Sequence, residues 1–515
     1  MAGGGYVDPP GVKRERADEY EGRVTSYVFY ACCVAAVGGS IFGYDIGVSG
    51  GVTSMEPFLM QFFPALHRRK KNSIETDDGS NTIQYCRYED QTLAAFTSSL
   101  YLAGLVSSFL ASPVTRTYGR RMSIICGGIS FVIGTAMNAM AVNLTMLILG
   151  RVMLGVGVGF ANQAVPVYLS EMAPTKLRGG MNMLFQLATT LGIVCANLIN
   201  YGTEKMGPWG WRVSLGLAAV PALFFTVGGY LLPETPNSLI ERGFMEEGRW
   251  CLEKIRGTSS VDAEFQDMVE ASEIANSIEH PFRNILEKKN RPQLAMAVLM
   301  PMFQILTGIN SVLFYAPVLF QSIGFGSNAA LYSSVITGAV MFLSTLVSIA
   351  TVDWLGRRVL LIGGGIQMII SQVIVAFILR KSGEEVLPKE MSVAVVVLIC
   401  LFVAGFGWSW GPLGWTVPSE IFSLETRSAG QSITVAVNLL FTFGVAQSFL
   451  TMLCSFRYGI FLLFAGWGVI MTAFVIVLLP ETKGVPIEEM MLLWSKHPIW
   501  NKFMPQIREP DINNC

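Results

Sequence analysis

Charged side chains are scarce in this sequence. Asp, Glu, Lys and Arg make up 14% of its 515 residues, whereas hydrophobic residues make up 52%. Average soluble domains carry about 25% charged residues, so a soluble fold of this length could not cover so much apolar chain. The formal net charge of −1 provides no basic surface for nucleic acid, and we expect no nucleic-acid partner. The composition therefore predicts a protein embedded in a lipid bilayer.

Catalytic and metal-binding patterns are also scarce. The three histidines, His67, His280 and His497, lie outside the apolar runs, and the nine cysteines follow no metal-ligand spacing. This excludes a membrane enzyme with clustered catalytic groups, and we expect neither a cofactor nor a metal. The first 24 residues are polar, so we expect no cleaved signal peptide and expect the first apolar run to direct insertion.

Long apolar runs are what the sequence has in abundance. A spanning helix needs about 20 mostly apolar residues, and six such runs precede residue 235 while six follow residue 290. The predicted fold class is an all-α membrane protein with twelve transmembrane helices in two six-helix bundles. The runs are 25–50, 91–112, 122–142, 145–168, 182–202, 211–232, 291–320, 329–352, 358–379, 392–418, 430–453 and 457–479.

The charged segments between these runs predict how the chain is organised. Residues 236–290 have the spacing of amphipathic surface helices, and a solvated linker is the alternative. Lys and Arg in the short loops fall on one side with both termini, which the positive-inside rule makes cytoplasmic. The basic run 68–71 does not fit, but it lies in a long loop, where the rule weakens. The predicted units are a tail 1–24, a bundle 25–235 with an extracellular lid 52–90, an intracellular helical domain 236–290, a bundle 291–482 and a tail 483–515.

Short motifs recur in the two halves. "YGRR" at 118–121 returns as "LGRR" at 355–358, and "PET" at Pro233 returns at Pro480. Repeated six-helix bundles that face each other imply a substrate path between them and alternating access to it.

The ordered set "PVYLSEMAP", "PETP", "FYAP", "WSWGPLGW" and "PETKG" resembles the sugar porters of the major facilitator superfamily. More narrowly, the chain is similar to plant sugar transport proteins, which are proton–monosaccharide symporters. The resemblance covers about residues 24–500. It implies a monosaccharide and a proton as substrates and the plasma membrane as location, and we expect the protein to function as a monomer.

Asp45 and Arg151 are isolated charges inside apolar runs. An ionised carboxylate in such a position is costly, which suits a group that is neutral part of the time. We predict that Asp45 carries the proton: a nearby Arg151 favours the carboxylate, and separation favours its protonation. The resemblance supports this role, because plant symporters have an Asp here. The alternative is that Asp45 caps a helix break at Gly43–Gly47 while Arg151 snorkels.

Neutral polar and aromatic side chains in interrupted apolar runs predict a sugar site near the bilayer midplane. The interruptions are at Gly308 and in the segment 407–418. For each polar residue, an interhelical hydrogen bond is the alternative to sugar binding. The resemblance assigns sugar contacts to Gln186, Gln304, Asn310, Trp415 and Asn438, with Phe42 and Ile46 lining the site.

Two positions depart from the family pattern. Ile305 stands where a second Gln is usual, and Met341 stands where span eight usually has an Asn. Each lost hydrogen bond to a sugar hydroxyl costs about 0.5–1.5 kcal/mol. Our hypothesis is a specificity shifted from hexoses toward pentoses, and a hexose carrier with compensating contacts is the alternative.

A set of charged residues flanks the predicted cytoplasmic loops. The resemblance implies that they lock the two bundles together when the site faces outward; topological signalling is the alternative, since surface ion pairs are individually weak. The set is Arg120, Arg121, Glu171, Arg178, Glu234, Arg357, Arg358, Glu420, Arg427 and Glu481. The resemblance also pairs Cys86 with Cys454 in a disulfide that clamps the lid, with two free thiols as the alternative.

Three functions are compatible with these features. A proton symporter needs a titratable group in the membrane, which Asp45 provides. A facilitative uniporter needs none. A non-transporting sugar receptor on the same fold is the third, because Ile305 and Met341 remove usual sugar contacts.

Overall fold

A computed structural model of the chain describes residues 25–75, 86, 88–174, 178–277, 281–322, 327–382, 388–422, 426–483 and 490–504. In these residues all regular secondary structure is helical. Eleven helical stretches are long and apolar enough to cross a membrane, and one of them, Gly180–Leu231, contains two crossings. The twelve predicted spans therefore all have counterparts, and the predicted all-α fold class is confirmed.

We number these crossings span 1 to span 12 in chain order. Three are built from two helices each, and the others are single helices. Their bounds are Ser26–Val52, Gln91–Thr117, Arg120–Ala139, Leu144–Met172, Arg178–Thr203, Gly210–Gly216 with Ala219–Leu231, Arg291–Leu306 with Ile309–Ser322, Ser327–Leu355, Arg357–Ser382, Lys389–Trp408 with Trp410–Ile421, Arg427–Phe456 and Gly459–Leu478.

Spans 7 and 10 are interrupted, as the sequence predicts. Span 7 breaks at Gly308, whose φ of +84° is a left-handed conformation that favours glycine. Span 10 breaks at Ser409, with φ −130° and ψ −90°. A break in a helix frees backbone groups that side chains or a ligand must then satisfy.

Span 1 is continuous from Ser26 to Val52, so the alternative of a break at Gly43–Gly47 is wrong. These glycines instead allow close packing against span 5. A methyl group on Gly43 would lie 1.8 Å from the carbonyl oxygen of Thr189, and one on Gly47 would lie 2.8 Å from the Ala196 side chain. Asp45 therefore lies within a regular helix.

The two halves of the chain pack in related ways. In the first half, span 1 packs on span 5 and span 4 packs on spans 2 and 3; in the second half, span 7 packs on span 11 and span 10 packs on spans 8 and 9. Contacts between the halves join span 2 to span 11, span 5 to span 8 and span 1 to span 7. These paired contacts surround the central space between the halves.

Helices outside the spans cover the two ends. The helices Glu56–Phe62 and Pro64–Glu75 follow span 1 and form the lid; we call their end of the molecule the lid side. The helices Pro236–Glu241, Met245–Arg256 and Asp262–Ser277 form the insert, at the opposite end, which we call the insert side.

The insert is fixed to the first half by polar contacts. The Arg256 guanidinium donates to the carbonyl of Met172 at 3.2 Å, at the end of span 4, and pairs with Glu264 at 2.7 Å. The Thr25 hydroxyl, just before span 1, donates to the carbonyl of Ile255 at 3.1 Å. One insert helix is thus anchored to two spans.

Candidate functional site

Asp45 and Arg151 form a buried ion pair between spans 1 and 4. A guanidinium nitrogen of Arg151 lies 2.5 Å from Asp45 Oδ1, and the two side chains are 0% and 2% exposed respectively. Arg151 also donates to the Ser49 hydroxyl at 2.6 Å and to the Phe96 carbonyl at 3.0 Å. The second carboxylate oxygen of Asp45 has no hydrogen-bond partner. One oxygen of this carboxylate is therefore paired, and the other is buried without a hydrogen-bond partner.

Ser49 and Phe96 are site residues that sequence patterns did not single out. Ser49 lies four residues after Asp45, on the same helix face, so its position was a usable signal. Phe96 contributes a backbone carbonyl and a ring, with the Arg151 guanidinium 4.5 Å from the ring centroid. Cation–π contact of this kind stabilises a desolvated guanidinium.

Aromatic rings of the lid cover this pair. Phe58 in the lid packs against Phe96 with ring centroids 5.3 Å apart and against Trp211 at 5.7 Å. The disulfide Cys86–Cys454 is present and joins the later part of the predicted lid segment 52–90 to the end of span 11. The lid therefore lies between the ion pair and the lid-side surface and is covalently linked to the second half.

Gln304 is the centre of a hydrogen-bonded cluster that joins spans 7, 10 and 11. Its amide nitrogen donates to the carbonyls of Trp410 and Gly411, both at 3.0 Å, next to the break in span 10. Its amide oxygen accepts a hydrogen bond from Asn438 at 3.0 Å. Gln304 and Asn438, two of the predicted sugar contacts, are thus brought together. In this conformation they bond to each other, and Gln304 also bonds to the backbone.

Side chains of spans 9 and 11 hydrogen-bond to span 7 on either side of its break at Gly308. The Gln372 amide, on span 9, donates to the carbonyl of Thr307 at 2.8 Å. Asn310, one residue beyond the new helix start, donates to the Thr442 hydroxyl at 3.2 Å. Gln372 and Thr442 were missed because their partners are distant in sequence and no local pattern marks them.

Gln186 and Trp415 line a cavity between spans 4, 5, 10 and 11. The space between its atoms is about 530 Å³, and this figure includes open solvent. Gln304, Asn310 and Asn438 are not among the residues that line it. The predicted sugar contacts therefore divide into the Gln304–Asn438 pair, Asn310 beside Thr442, and the two residues of the cavity wall.

The other predicted lining residues are mostly buried. Phe42 is half-buried and contacts Tyr101 edge to face, with centroids 6.5 Å apart. Ile46 is buried. Ile305 and Met341, the two departures from the family pattern, are also buried and add no side-chain hydrogen-bonding group to this region.

The halves are in polar contact on the lid side. Gln91, at the start of span 2, donates to Thr451 at 2.7 Å and accepts from Gln447 at 2.9 Å. Ser98 donates to Gln447 at 2.6 Å. The cavity, by contrast, extends from Trp415 toward Ser419 near the insert-side end of span 10. The structure is thus closed by side-chain contacts on the lid side, with its cavity on the insert side.

The predicted gate residues of the first half form one network. Arg120 donates to Glu171 and to Glu241, both at 2.7 Å. Glu234 accepts from the backbone amide of Arg120 at 3.0 Å and from that of Arg121 at 3.4 Å. The Arg121 guanidinium donates to two carbonyls near the end of span 6, at 3.2 and 2.5 Å. Spans 3, 4 and 6 are thereby joined to the insert.

The second half repeats this arrangement. Arg357 pairs with Glu420 at 2.9 Å. Glu481 accepts from the backbone amides of Arg357 and Arg358 at 2.9 and 3.0 Å. The Arg358 guanidinium donates to a span 12 carbonyl at 2.6 Å. The sequence repeat is therefore also a repeat of contacts.

These ion pairs join residues of the same half. Arg178 and Arg427 begin spans 5 and 11, and their side chains lie outside the described residues. The predicted lock between the bundles belongs to an outward-facing state, so it stays a prediction.

This arrangement defines a class of protein: a multi-pass helical transporter with two repeated halves and a central cavity. Residues 31–494 match the family described as "Sugar (and other) transporter", and the chain belongs to that family. It is a sugar transporter of the major facilitator fold, not an enzyme.

Relatives and solved structures agree with this assignment. Sugar transport protein 7 of Arabidopsis thaliana is 69% identical over 507 residues, covering 98% of this chain and 97% of the relative. Sugar carrier protein A of Ricinus communis is 69% identical over 510 residues, covering 99% and 96%. A structure of the proton:xylose symporter XylE bound to 6-bromo-6-deoxy-D-glucose matches with a TM-score of 0.76 and 25% identity, covering 92% of this chain and 100% of that one. XylE from E. coli in a partially occluded inward open conformation gives 0.73, at 25% identity, covering 89% and 99%.

Proposed function

We propose that this sugar transporter is a proton-coupled monosaccharide symporter in which Asp45 carries the proton. The observation that carries the proposal is the buried pair: Arg151 lies 2.5 Å from one carboxylate oxygen, and the other oxygen has no partner. A desolvated carboxylate is tolerated as an ion only while its counter-ion is close. When the halves move and Arg151 shifts, proton uptake by Asp45 becomes the less costly state.

The two halves supply different parts of the proposed cycle. The proton pair lies between spans 1 and 4 of the first half, and the Gln304 cluster lies in the second half. Span 1 packs on span 7, which carries Gln304. Rocking of the halves about the central space would therefore change both the Asp45 environment and the sugar site, which is the coupling that symport requires.

We further propose the sugar contacts, the membrane topology, the location and the functional unit of the transporter. Sugar is bound by Gln186, Gln304, Asn310, Trp415 and Asn438, with Phe42 and Ile46 against it. The insert side faces the cytoplasm together with both termini, the membrane is the plasma membrane, and the functional unit is a monomer. The insert-side charge networks separate from or join each other as the halves rock.

The proposed substrate class is a monosaccharide, with pentoses favoured over hexoses. Ile305 and Met341 are buried apolar side chains that fill space without accepting hydroxyl groups. A smaller or less hydroxylated sugar loses fewer hydrogen bonds at such a wall. A hexose carrier is the second candidate, supported by the predicted sugar contacts Gln304 and Asn438, whose amides are hydrogen-bonded to each other at 3.0 Å.

Sugar uptake at two external pH values tests this proposal. Cells expressing the protein take up labelled xylose, arabinose, glucose and galactose, with and without a protonophore. We expect faster uptake in acid, loss of accumulation with the protonophore, and the strongest competition from pentoses. Uptake that is indifferent to pH and protonophore would make the protein a uniporter, sugar binding without flux would make it a receptor, and glucose far ahead of every pentose would refute the substrate assignment.

A further inference from the structure

Polar side chains continue from the predicted sugar contacts toward the insert side. Asn182 lies four residues before Gln186 on span 5, and Ser419 lies four residues after Trp415 on span 10. Residues four apart are neighbours on one helix face, and one turn advances about 5.4 Å. Because span 5 begins on the insert side and span 10 ends there, both steps lead in the same direction.

Span 11 has the same feature. Gln431 lies seven residues, or about two turns, before Asn438, and span 11 also begins on the insert side. Asn182, Ser419 and Gln431 all line the cavity, together with Asn162 of span 4. Four spans from both halves therefore bring polar groups to one space beyond the Gln304 cluster.

Two of these groups have unused hydrogen-bonding capacity. Asn162 is 5% exposed, and its amide oxygen, like that of Asn182, has no hydrogen-bond partner in the structure. Both oxygens are buried in this conformation. An unsatisfied buried polar group is destabilising, so a turn of these amides toward a ligand that donates a hydrogen bond is favoured. The residues that line the cavity carry no charge, which favours a neutral ligand.

In the Gln304 cluster, by contrast, the amide groups of Gln304 are already hydrogen-bonded. The Gln304 amide donates to two backbone carbonyls, and its oxygen accepts from Asn438. In this lid-side-closed conformation the cavity wall thus has unpaired acceptors at Asn162 and Asn182. Sugar hydroxyls are donors that suit these oxygens.

We propose that Asn162, Asn182 and Gln431 form an exit subsite, a second position for a neutral polyhydroxyl ligand about one to two helical turns to the insert side of the central site. Its ligand is the transported monosaccharide, so this inference rests on the proposed function. The subsite holds sugar only in the conformation whose cavity is on the insert side. It therefore sets the apparent affinity for sugar that enters or leaves on that side.

Transport measured separately from each side tests the exit subsite. In proteoliposomes without a pH gradient, Asn182→Ala and Gln431→Ala should raise the KM for sugar entering from the insert side by roughly three- to tenfold. The KM from the lid side should change less than twofold. Asn438→Ala, in the central cluster, should raise both, and Gln266→Ala, exposed on the insert, should change neither.

The outcomes separate the two proposals. Equal rises from both sides would place Asn182 and Gln431 in the central site and overturn the exit subsite, and unchanged KM values would overturn it as well. Asn182→Ser, which keeps a small hydrogen-bonding group, should recover part of the insert-side affinity, and a melting temperature within a few degrees of the wild type verifies folding. If the wild type moves no sugar from either side, the proposed transport function itself fails.

Discussion

Replacing Asp45 by Asn removes the carboxylate charge and keeps the shape of the side chain. Arg151 then loses its ionic partner at 2.5 Å but keeps the Ser49 hydroxyl at 2.6 Å, the Phe96 carbonyl at 3.0 Å and the Phe96 ring. The guanidinium thus stays hydrogen-bonded, and we expect the variant to fold, with a lower melting temperature because a buried charge has lost its counter-ion. It has no proton to carry, and sugar movement should become independent of the proton gradient.

The size of the effect follows from the proton gradient. One proton crossing a potential of ~100 mV releases ~2.3 kcal/mol, and one pH unit adds ~1.4 kcal/mol. At one proton per sugar, the sum of ~3.7 kcal/mol supports accumulation of several hundredfold. For Asp45→Asn the expected ratio of internal to external sugar is about one, because no coupled proton supplies this free energy.

The assay compares net accumulation with exchange in proteoliposomes. Asp45→Asn should abolish accumulation driven by an acid exterior, while labelled sugar still exchanges with unlabelled sugar trapped inside. Asp262→Asn removes an acid with a 70% exposed side chain on the insert and should behave as the wild type. Accumulation by Asp45→Asn that a protonophore abolishes would refute Asp45 as the proton carrier. Loss of exchange in a variant that is still folded would show a role in sugar binding or rocking.

Three further predictions concern stability, each measured by the melting temperature. Gly308→Ala introduces a methyl group at φ +84°, 2.4 Å from a neighbouring ring, and should lower the melting temperature. Gly444→Ala meets no atom within 4 Å and should leave the melting temperature unchanged. Arg256→Met strands a buried carboxylate at a cost of about 3–5 kcal/mol, whereas Arg249→Met, at a 46% exposed guanidinium, should cost less than about 1 kcal/mol; similar shifts in both would contradict the burial argument. Cys454→Ser should cost about 2–5 kcal/mol, and a reductant should then destabilise the wild type but not the variant; equal sensitivity would mean that the bond is not formed.

The spans and the interruptions of spans 7 and 10 could be predicted from sequence because apolar length and helix-breaking residues act locally. In span 1 the same logic supported only the alternative, a break at Gly43–Gly47, and that alternative is wrong. Gly43 and Gly47 were candidates for a break, but they allow span 5 to approach closely within a continuous helix. A glycine in a spanning helix can either break the helix or allow close packing. Which of the two occurs depends on the neighbouring helix.

The gate residues show a different limit. Their repeat in sequence predicted charge networks, and the structure shows one network in each half, centred on Arg120 with Glu171 and on Arg357 with Glu420. The sequence order could not show that Glu241 of the insert joins the first pair. Long charged side chains choose partners by distance in space, which depends on how the helices pack.

The sequence by itself determined that this is a membrane protein with twelve spans in two repeated halves, since burying that much apolar chain requires a bilayer. It also identified Asp45 and Arg151 as charges without local partners. Only the tertiary structure decided that they meet, because 106 residues separate them. It likewise decided that Gln304 bonds internally while the oxygens of Asn162 and Asn182 stay unpaired, because hydrogen-bond satisfaction depends on which helices pack side by side.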